Sequence, residues 1–182
     1  AFAMALAQKR TSLDKCPHVS AEAKEALESA SQPPIKLVTI GTGEARFEVG
    51  NETVMYRHEQ KFYHPAAIGF LVEDSIDEEE ISEAIAKINK LKFERVGQQI
   101  GVNLICVKNS SGYRNKFLMA VRAAEAVSNL PIALYSDNVQ SMQEAVKLCK
   151  ERRPLIICGE RTLPDAFIKL AAENNLPLAV TC

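Results

Sequence analysis

Ile132-Ala133-Leu134-Tyr135-Ser136-Asp137-Asn138-Val139-Gln140-Ser141-Met142 is the stretch from which the architecture is read. It opens with a short apolar run, after which Val139, Met142, Val146 and Cys149 recur at helical spacing. An apolar strand followed at once by an amphipathic helix is one βα unit. The same reading extends to both sides. Strands are expected at residues 67–72, 104–107, 132–135, 155–158 and 178–180. These runs are apolar almost without interruption, as in parallel strands buried on both faces.

The helices between them follow from periodicity and caps. Ile81, Ala84, Ile85 and Ile88 share one face, and the acidic residues from Asp77 to Glu80 complement a helix N-terminus. A second helix is expected over residues 114–128, through Phe117, Val121 and Ala124. The third carries the stripe that begins at Val139. The fourth begins at a Thr162-x-x-Asp165 cap with Pro164 in its first turn, and uses Phe167, Leu170 and Ala171. Parallel strands with crossover helices suit a doubly wound sheet or part of a (β/α)8 barrel. The repeat spacing favours the barrel, which takes about 250 residues when complete. The expected fold is therefore α/β, the first half of a (β/α)8 TIM-type barrel.

Ahead of the repeats the character of the chain changes. Ala1-Phe2-Ala3-Met4-Ala5-Leu6-Ala7 reads as helix without a start methionine or a cap, so the chain is expected to be a fragment lacking both ends. Ser20 can cap a second helix with Ala23, Ala26, Leu27 and Ala30 on one narrow stripe. Pro33-Pro34 stops it and forms a stiff link. Residues 1–33 are thus expected as one domain with its linker, and residues 34–182 as the partial barrel. Short β runs at 36–40, 46–49 and 53–56 come first, the last two flanking a Gly50-Asn51 hairpin turn.

The totals narrow the function class. The formal net charge of −1 with 25% charged residues gives no basic bias toward nucleic acid or membrane. No apolar run approaches a membrane span, and the first residues lack the charged n-region and cleavage site of a secretory signal. Cys16, Cys106, Cys149, Cys158 and Cys182 are odd in number and scattered, unlike a disulfide framework. Reduced thiols in the cytoplasm are the expectation.

Alone, Cys16 before Pro17 is a turn cysteine, since a cubane usually takes four cysteines. Its neighbourhood changes the reading. The block Ala1-Phe2-Ala3-Met4, Leu13-Asp14-Lys15-Cys16-Pro17, Ala30 and Pro33-Pro34-Ile35 closely resembles the corrinoid iron–sulfur protein large-subunit family of the CO dehydrogenase/acetyl-CoA synthase system. The resemblance continues in order through Phe62-Tyr63-His64, Arg95-Val96-Gly97-Gln98, Asp137 and Ala172-Glu173-Asn174-Asn175-Leu176-Pro177-Leu178-Ala179-Val180.

It implies that Cys16 is the last ligand of a [4Fe-4S] cluster whose other three ligands precede this sequence, and that residues 1–33 are the tail of a small helical cluster domain. It also implies a corrinoid bound by parts beyond Cys182. The implied function is methyl carriage on corrinoid cobalt in the reductive acetyl-CoA (Wood–Ljungdahl) pathway, with the cluster returning an electron to oxidised cobalt. The implied partners are the small subunit, a methyltetrahydropterin methyltransferase and CO dehydrogenase/acetyl-CoA synthase. No autonomous catalytic site is expected in this stretch.

His58 and His64 match no helix-borne zinc spacing and are read as packing, or as pairing with Glu59. Barrel chemistry sits at strand C-terminal ends. Those are Glu73 and Asp74, Lys108 and Asn109, Ser136 and Asp137, Gly159 and Glu160, and Cys182. Asp74 with Asp137 could hold a pterin-like ligand, but Ser136 and Asp137 precede a helix and are read as caps. Gly41-Thr42-Gly43-Glu44 leads into no helix and is rejected as a phosphate loop. Cys106, Cys149 and Cys158 lie on apolar elements and are read as buried, inert thiols. The competing function is a barrel methyltransferase binding methyltetrahydropterin itself. A flavodoxin-like domain is the blandest alternative.

Overall fold

The structure is a computed structural model that describes residues 20, 35–52, 58, 64, 66–159 and 164–180. The chain divides into two compact units, Ala1–Lys36 with Asn51–Phe62 and Leu37–Gly50 with Tyr63–Cys182. In the first, Ile35 and Glu52 form an antiparallel bridge, the backbone N–H of Ile35 donating to the Glu52 carbonyl. Cys16, both helices expected before Pro33, the strand expected at 53–56 and the Thr162 cap lie outside the described residues.

The second unit opens with β1 (Val38–Ile40) and β2 (Phe47–Val49), paired antiparallel around the one-turn 3-10 segment Gly43–Ala45. Then come β3 (Gly69–Glu73), α1 (Glu78–Asn89), β4 (Lys92–Arg95), β5 (Gln98–Gly101), β6 (Leu104–Lys108) and α2 (Arg114–Val127). The order continues with β7 (Ile132–Tyr135), α3 (Val139–Cys149), β8 (Leu155–Cys158), α4 (Asp165–Glu173) and β9 (Leu178–Val180).

β3, β6, β7, β8 and β9 form one parallel sheet in chain order. A doubly wound sheet reverses its strand order at a switch point, and this one does not. Right-handed crossovers between strands laid down in sequence put every helix on the same side. The packing agrees, since α1 meets α2, α2 meets α3 and α3 meets α4.

Alternation then divides the sheet into two faces. Val72, Ile105, Val107, Ile132, Leu134 and Ile156 meet the helices, where Ile81, Ile85, Phe117, Val121, Met142 and Phe167 are fully buried. The helix stripes expected from periodicity are the stripes observed. The opposite face is apolar but less covered. Leu71, Cys106, Ala133 and Leu155 form one row across it, and Leu71 is 52% exposed.

The β1–β2 pair seals the N-terminal ends of the strands. Gly41 donates its N–H to the Arg153 carbonyl at 3.1 Å, and the Arg153 Nε returns a bond to the Thr39 carbonyl at 3.1 Å. Gly41 sits so close to Pro131 that an added Cβ would lie 2.6 Å from the ring Cγ, and its φ of +82° already excludes most side chains. The glycine run is therefore a docking turn. β2 takes β1 as its partner, so the first antiparallel pair closes at residues 41–46, ahead of the expected Gly50-Asn51 turn.

Candidate functional site

The strand C-terminal ends, where barrel-type sheets carry their chemistry, present two rows of side chains. The row on the open face is Glu73, Lys108 and Tyr135, which are register partners across β3, β6 and β7. Lys108 Nζ lies 3.5 Å from Glu73 Oε1 and 5.6 Å from the centre of the Tyr135 ring. The ammonium thus has a carboxylate on one flank and an aromatic face on the other. This pair is half exposed, so its attraction is modest.

The second row is one residue further on and turns under the helix N-termini. Asp74 is fully buried and accepts from Ser111, whose N–H reaches Oδ1 at 2.7 Å and whose hydroxyl reaches Oδ2 at 2.8 Å. Asn109 Nδ2 donates to Ser136 Oγ at 3.0 Å, and the same oxygen accepts the Asn138 N–H at 3.1 Å. Asp137 Oδ1 accepts the Gly159 N–H at 2.8 Å, bridging the loops after β7 and β8. Asn109 Oδ1 is buried without a hydrogen-bond partner.

Asp74 and Asp137 are thus apart in role as well as place. Asp74 has both of its carboxylate oxygens engaged in holding a loop, and Asp137 has one. The cap of α3 is Asn138, whose Oδ1 accepts from the Ser141 N–H at 2.9 Å. This corrects the expectation that Ser136 or Asp137 would cap it. The Asn138-x-x-Ser141 spacing carries that signal in the sequence. Ser111, the partner of Asp74, went unflagged, although Ser110-Ser111-Gly112 is a plain turn cluster. Glu160 and Cys182 lie outside the described residues.

Between the N-termini of α2 and α3 opens a groove of about 340 Å³ lined by Tyr113, Arg114, Asn115, Asn138 and Gln140. His64 lies elsewhere, with Nδ1 2.7 Å from the Gly50 carbonyl and Nε2 3.8 Å from Glu48. His58 occupies a turn, and Glu59 lies outside the described residues.

The described cysteines do not fit an iron–sulfur cluster. Burial pushes the Cys106 thiol up to about 11 against the pull of Lys108. Burial and then Glu125 push Cys149 up to about 12, and its Sγ donates to the Ala145 carbonyl at 3.3 Å. Cys106, Cys149 and Cys158 stand on three separate elements, β6, α3 and β8, and do not converge as the ligands of a cluster must. Among the described residues no group of three or more His, Cys, Asp or Glu side chains could hold a metal ion, and no helix is long and apolar enough to cross a membrane.

Residues 37–182 match the family described as CO dehydrogenase/acetyl-CoA synthase delta subunit. The corrinoid/iron–sulfur protein large subunit of Moorella thermoacetica is 39% identical over 180 residues, covering 99% of this chain and 40% of that protein. The acetyl-CoA decarbonylase/synthase complex subunit gamma of Methanothermobacter thermautotrophicus is 31% identical over 182 residues, 99% of this chain and 39% of its own. The subunit of the same description in Methanocaldococcus jannaschii is 32% identical over 177 residues, 95% of this chain and 36% of its own. The chain spans about two fifths of the length of these relatives.

Proposed function

The chain belongs to the CO dehydrogenase/acetyl-CoA synthase delta subunit family, and from that premise we propose that it is part of a methyl carrier of the acetyl-CoA pathway. In this reading the complete protein takes a methyl group from a methyltetrahydropterin methyltransferase and delivers it to acetyl-CoA synthase. A bound corrinoid supplies the cobalt chemistry, and the described residues serve as scaffold and partner surface. The small subunit, the methyltransferase and CO dehydrogenase/acetyl-CoA synthase are the proposed partners, and the cytoplasm the proposed location.

The chain-ordered parallel sheet is proposed to be the first half of a (β/α)8 barrel, with residues 1–33 as the tail of a [4Fe-4S] domain. Cys16 is the one cluster ligand proposed within this sequence. The described thiols offer no substitute for it, standing apart on β6, α3 and β8.

The observation that favours a carrier over a methyltransferase is the engagement of the strand-end carboxylates. Asp74 is committed to Ser111 and Asp137 to Gly159. A barrel that bound methyltetrahydropterin itself would present a carboxylate to it at those ends, whereas both oxygens of Asp74 are taken by Ser111. The test is anaerobic purification of the full-length protein, cobalt and iron analysis, and methylation by methyltransferase with methyltetrahydropterin. Stoichiometric cobalt, iron and an enzyme-dependent change in the corrinoid spectrum are expected. Direct binding of methyltetrahydropterin by cobalt-free protein would support the methyltransferase instead.

A further inference from the structure

Among the described residues, β4 and β5 form a two-stranded sheet bonded to no third strand. Phe93 pairs with Ile100 and Arg95 with Gln98, so these side chains share one face. Val96 and Gly97 close the hairpin with φ of 52° and 73°. Two successive left-handed residues make the turn that favours Asn-Gly. Valine is poorly suited to it, because its branched side chain crowds the backbone at positive φ.

Val96 is also 95% exposed, and along the same hairpin Phe93 is 57% exposed and Leu91, at its base, 46%. Backbone preference and core burial both fail to account for valine there. A local rule broken at an exposed apolar site points to contact with something else. At the base of the hairpin opens a groove of about 290 Å³ where Ile88, Leu91, Val102 and Leu130 alternate with the polar Asn89 and Lys92.

Charge defines the edge of this surface. Lys90 and Lys92 lie at the base of the hairpin and Arg95 next to its turn, and none joins an ion pair among the described residues. Glu94, the one carboxylate on the hairpin, is held by Gln99 Nε2 at 3.2 Å.

We propose that the β4–β5 hairpin is a docking knob for another protein subunit, one that presents an apolar socket bordered by carboxylates. Charge complementarity selects the occupant, since a cationic rim around an apolar centre fits an acidic rim around a dry pocket. A second copy fits less well, because a twofold axis through the knob would bring the same lysines and arginine together. The inference rests on the complex membership proposed above.

The test uses the full-length protein in wild-type form, as Val96→Asn and as Lys92→Glu/Arg95→Glu. Each is titrated by biolayer interferometry against the separately purified remaining subunits of the CO dehydrogenase/acetyl-CoA synthase system, at low and high salt, and against vesicles of neutral or anionic phospholipid. Val96→Asn suits the turn, so the hairpin stays folded, which amide protection along both strands verifies. Binding to one subunit is expected to weaken by about tenfold or more in each variant, and the charge reversal to flatten the salt dependence. Wild-type affinity in both variants overturns this inference and leaves the functional reading standing. Failure of the wild-type protein to bind any of the subunits overturns both. Vesicle binding lost in the variants, with subunit binding unchanged, identifies a membrane surface and overturns the protein partner.

Discussion

Ser111 holds both oxygens of the buried Asp74 carboxylate, one through its backbone N–H at 2.7 Å and the other through its hydroxyl at 2.8 Å. The pair joins the end of β3 to the loop after β6, and the Asp74 N–H adds a 3.1 Å bond to the Lys108 carbonyl. Buried carboxylate oxygens are costly unless such donors stay in place.

Ser111→Ala removes one of the two donors and leaves the charge buried. It is expected to destabilise the full-length protein by about 1.5–3 kcal/mol, measured by urea unfolding. An unchanged midpoint would mean that water replaces the hydroxyl and that the loop is not held by this pair.

A side chain at Gly159 would displace the tips of Tyr135 and Asp137. An added Cβ would lie 2.5 Å from Tyr135 Cε2, 2.6 Å from the Tyr135 hydroxyl and 2.8 Å from Asp137 Oδ1. Gly159→Ala is therefore expected to cost about 1–3 kcal/mol. Adding Tyr135→Phe removes one of the clashing atoms, so the double variant should recover part of the loss in a thermal unfolding series. Strict additivity of the two substitutions would show that they do not meet.

How much of this was legible in the sequence depended on which force set each element. The five parallel strands and four helices were read from apolar runs and stripes, and the same residues form them, because burial decides both. Where backbone geometry decides, the reading slipped. The β4–β5 hairpin went unseen because Val96 stands where turn chemistry calls for Asn or Gly, although Phe93 and Ile100 alternate with polar neighbours on either side. Pro164 proved to be the N-cap residue of α4, with Asp165 its first helical residue. At the candidate site, the strand-end positions were anticipated from the barrel reading. Their partners were not, since the bond from Gly159 to Asp137 spans separate loops that no local spacing reports.

Arg152 closes the far end of α2. Its guanidinium donates to the carbonyls of Ser128 at 2.7 Å, Leu130 at 2.9 Å and Glu125 at 3.4 Å. These carbonyls lie at the helix C-terminus and just beyond, where helical partners run out. Arg152→Ala is expected to cost about 1.5–3 kcal/mol and to speed amide exchange in the last turn of α2. Arg152→Lys should rescue little, because an ammonium lacks the planar fork that reaches three acceptors. Full rescue by lysine would reduce the role of Arg152 to charge alone.

The buried thiols predict a pH dependence. Cys106 and Cys149 stand at about 11 and about 12 in the fold, against 9.0 for an unperturbed thiol. Both values are raised, so the folded state holds its protons longer than the unfolded chain. The stabilisation is complete below the unfolded value and is lost as pH rises through the folded ones. Above pH 9 each thiol should therefore lower stability, by at most about 1.4 kcal/mol per pH unit. Cys106→Ala/Cys149→Ala should show a shallower decline than wild type in unfolding free energy measured between neutral and alkaline pH. Parallel curves would assign the decline to other groups, such as the lysines.

The strand order β3-β6-β7-β8-β9 bears on how the chain is made. Each strand of the sheet pairs with the one synthesised just before it, and each helix docks on its predecessor. A ribosome releasing about 5–20 residues per second therefore offers every new unit a finished edge to join. Assembly can keep pace with translation, and at any moment the growing sheet has a single waiting edge at the point of elongation.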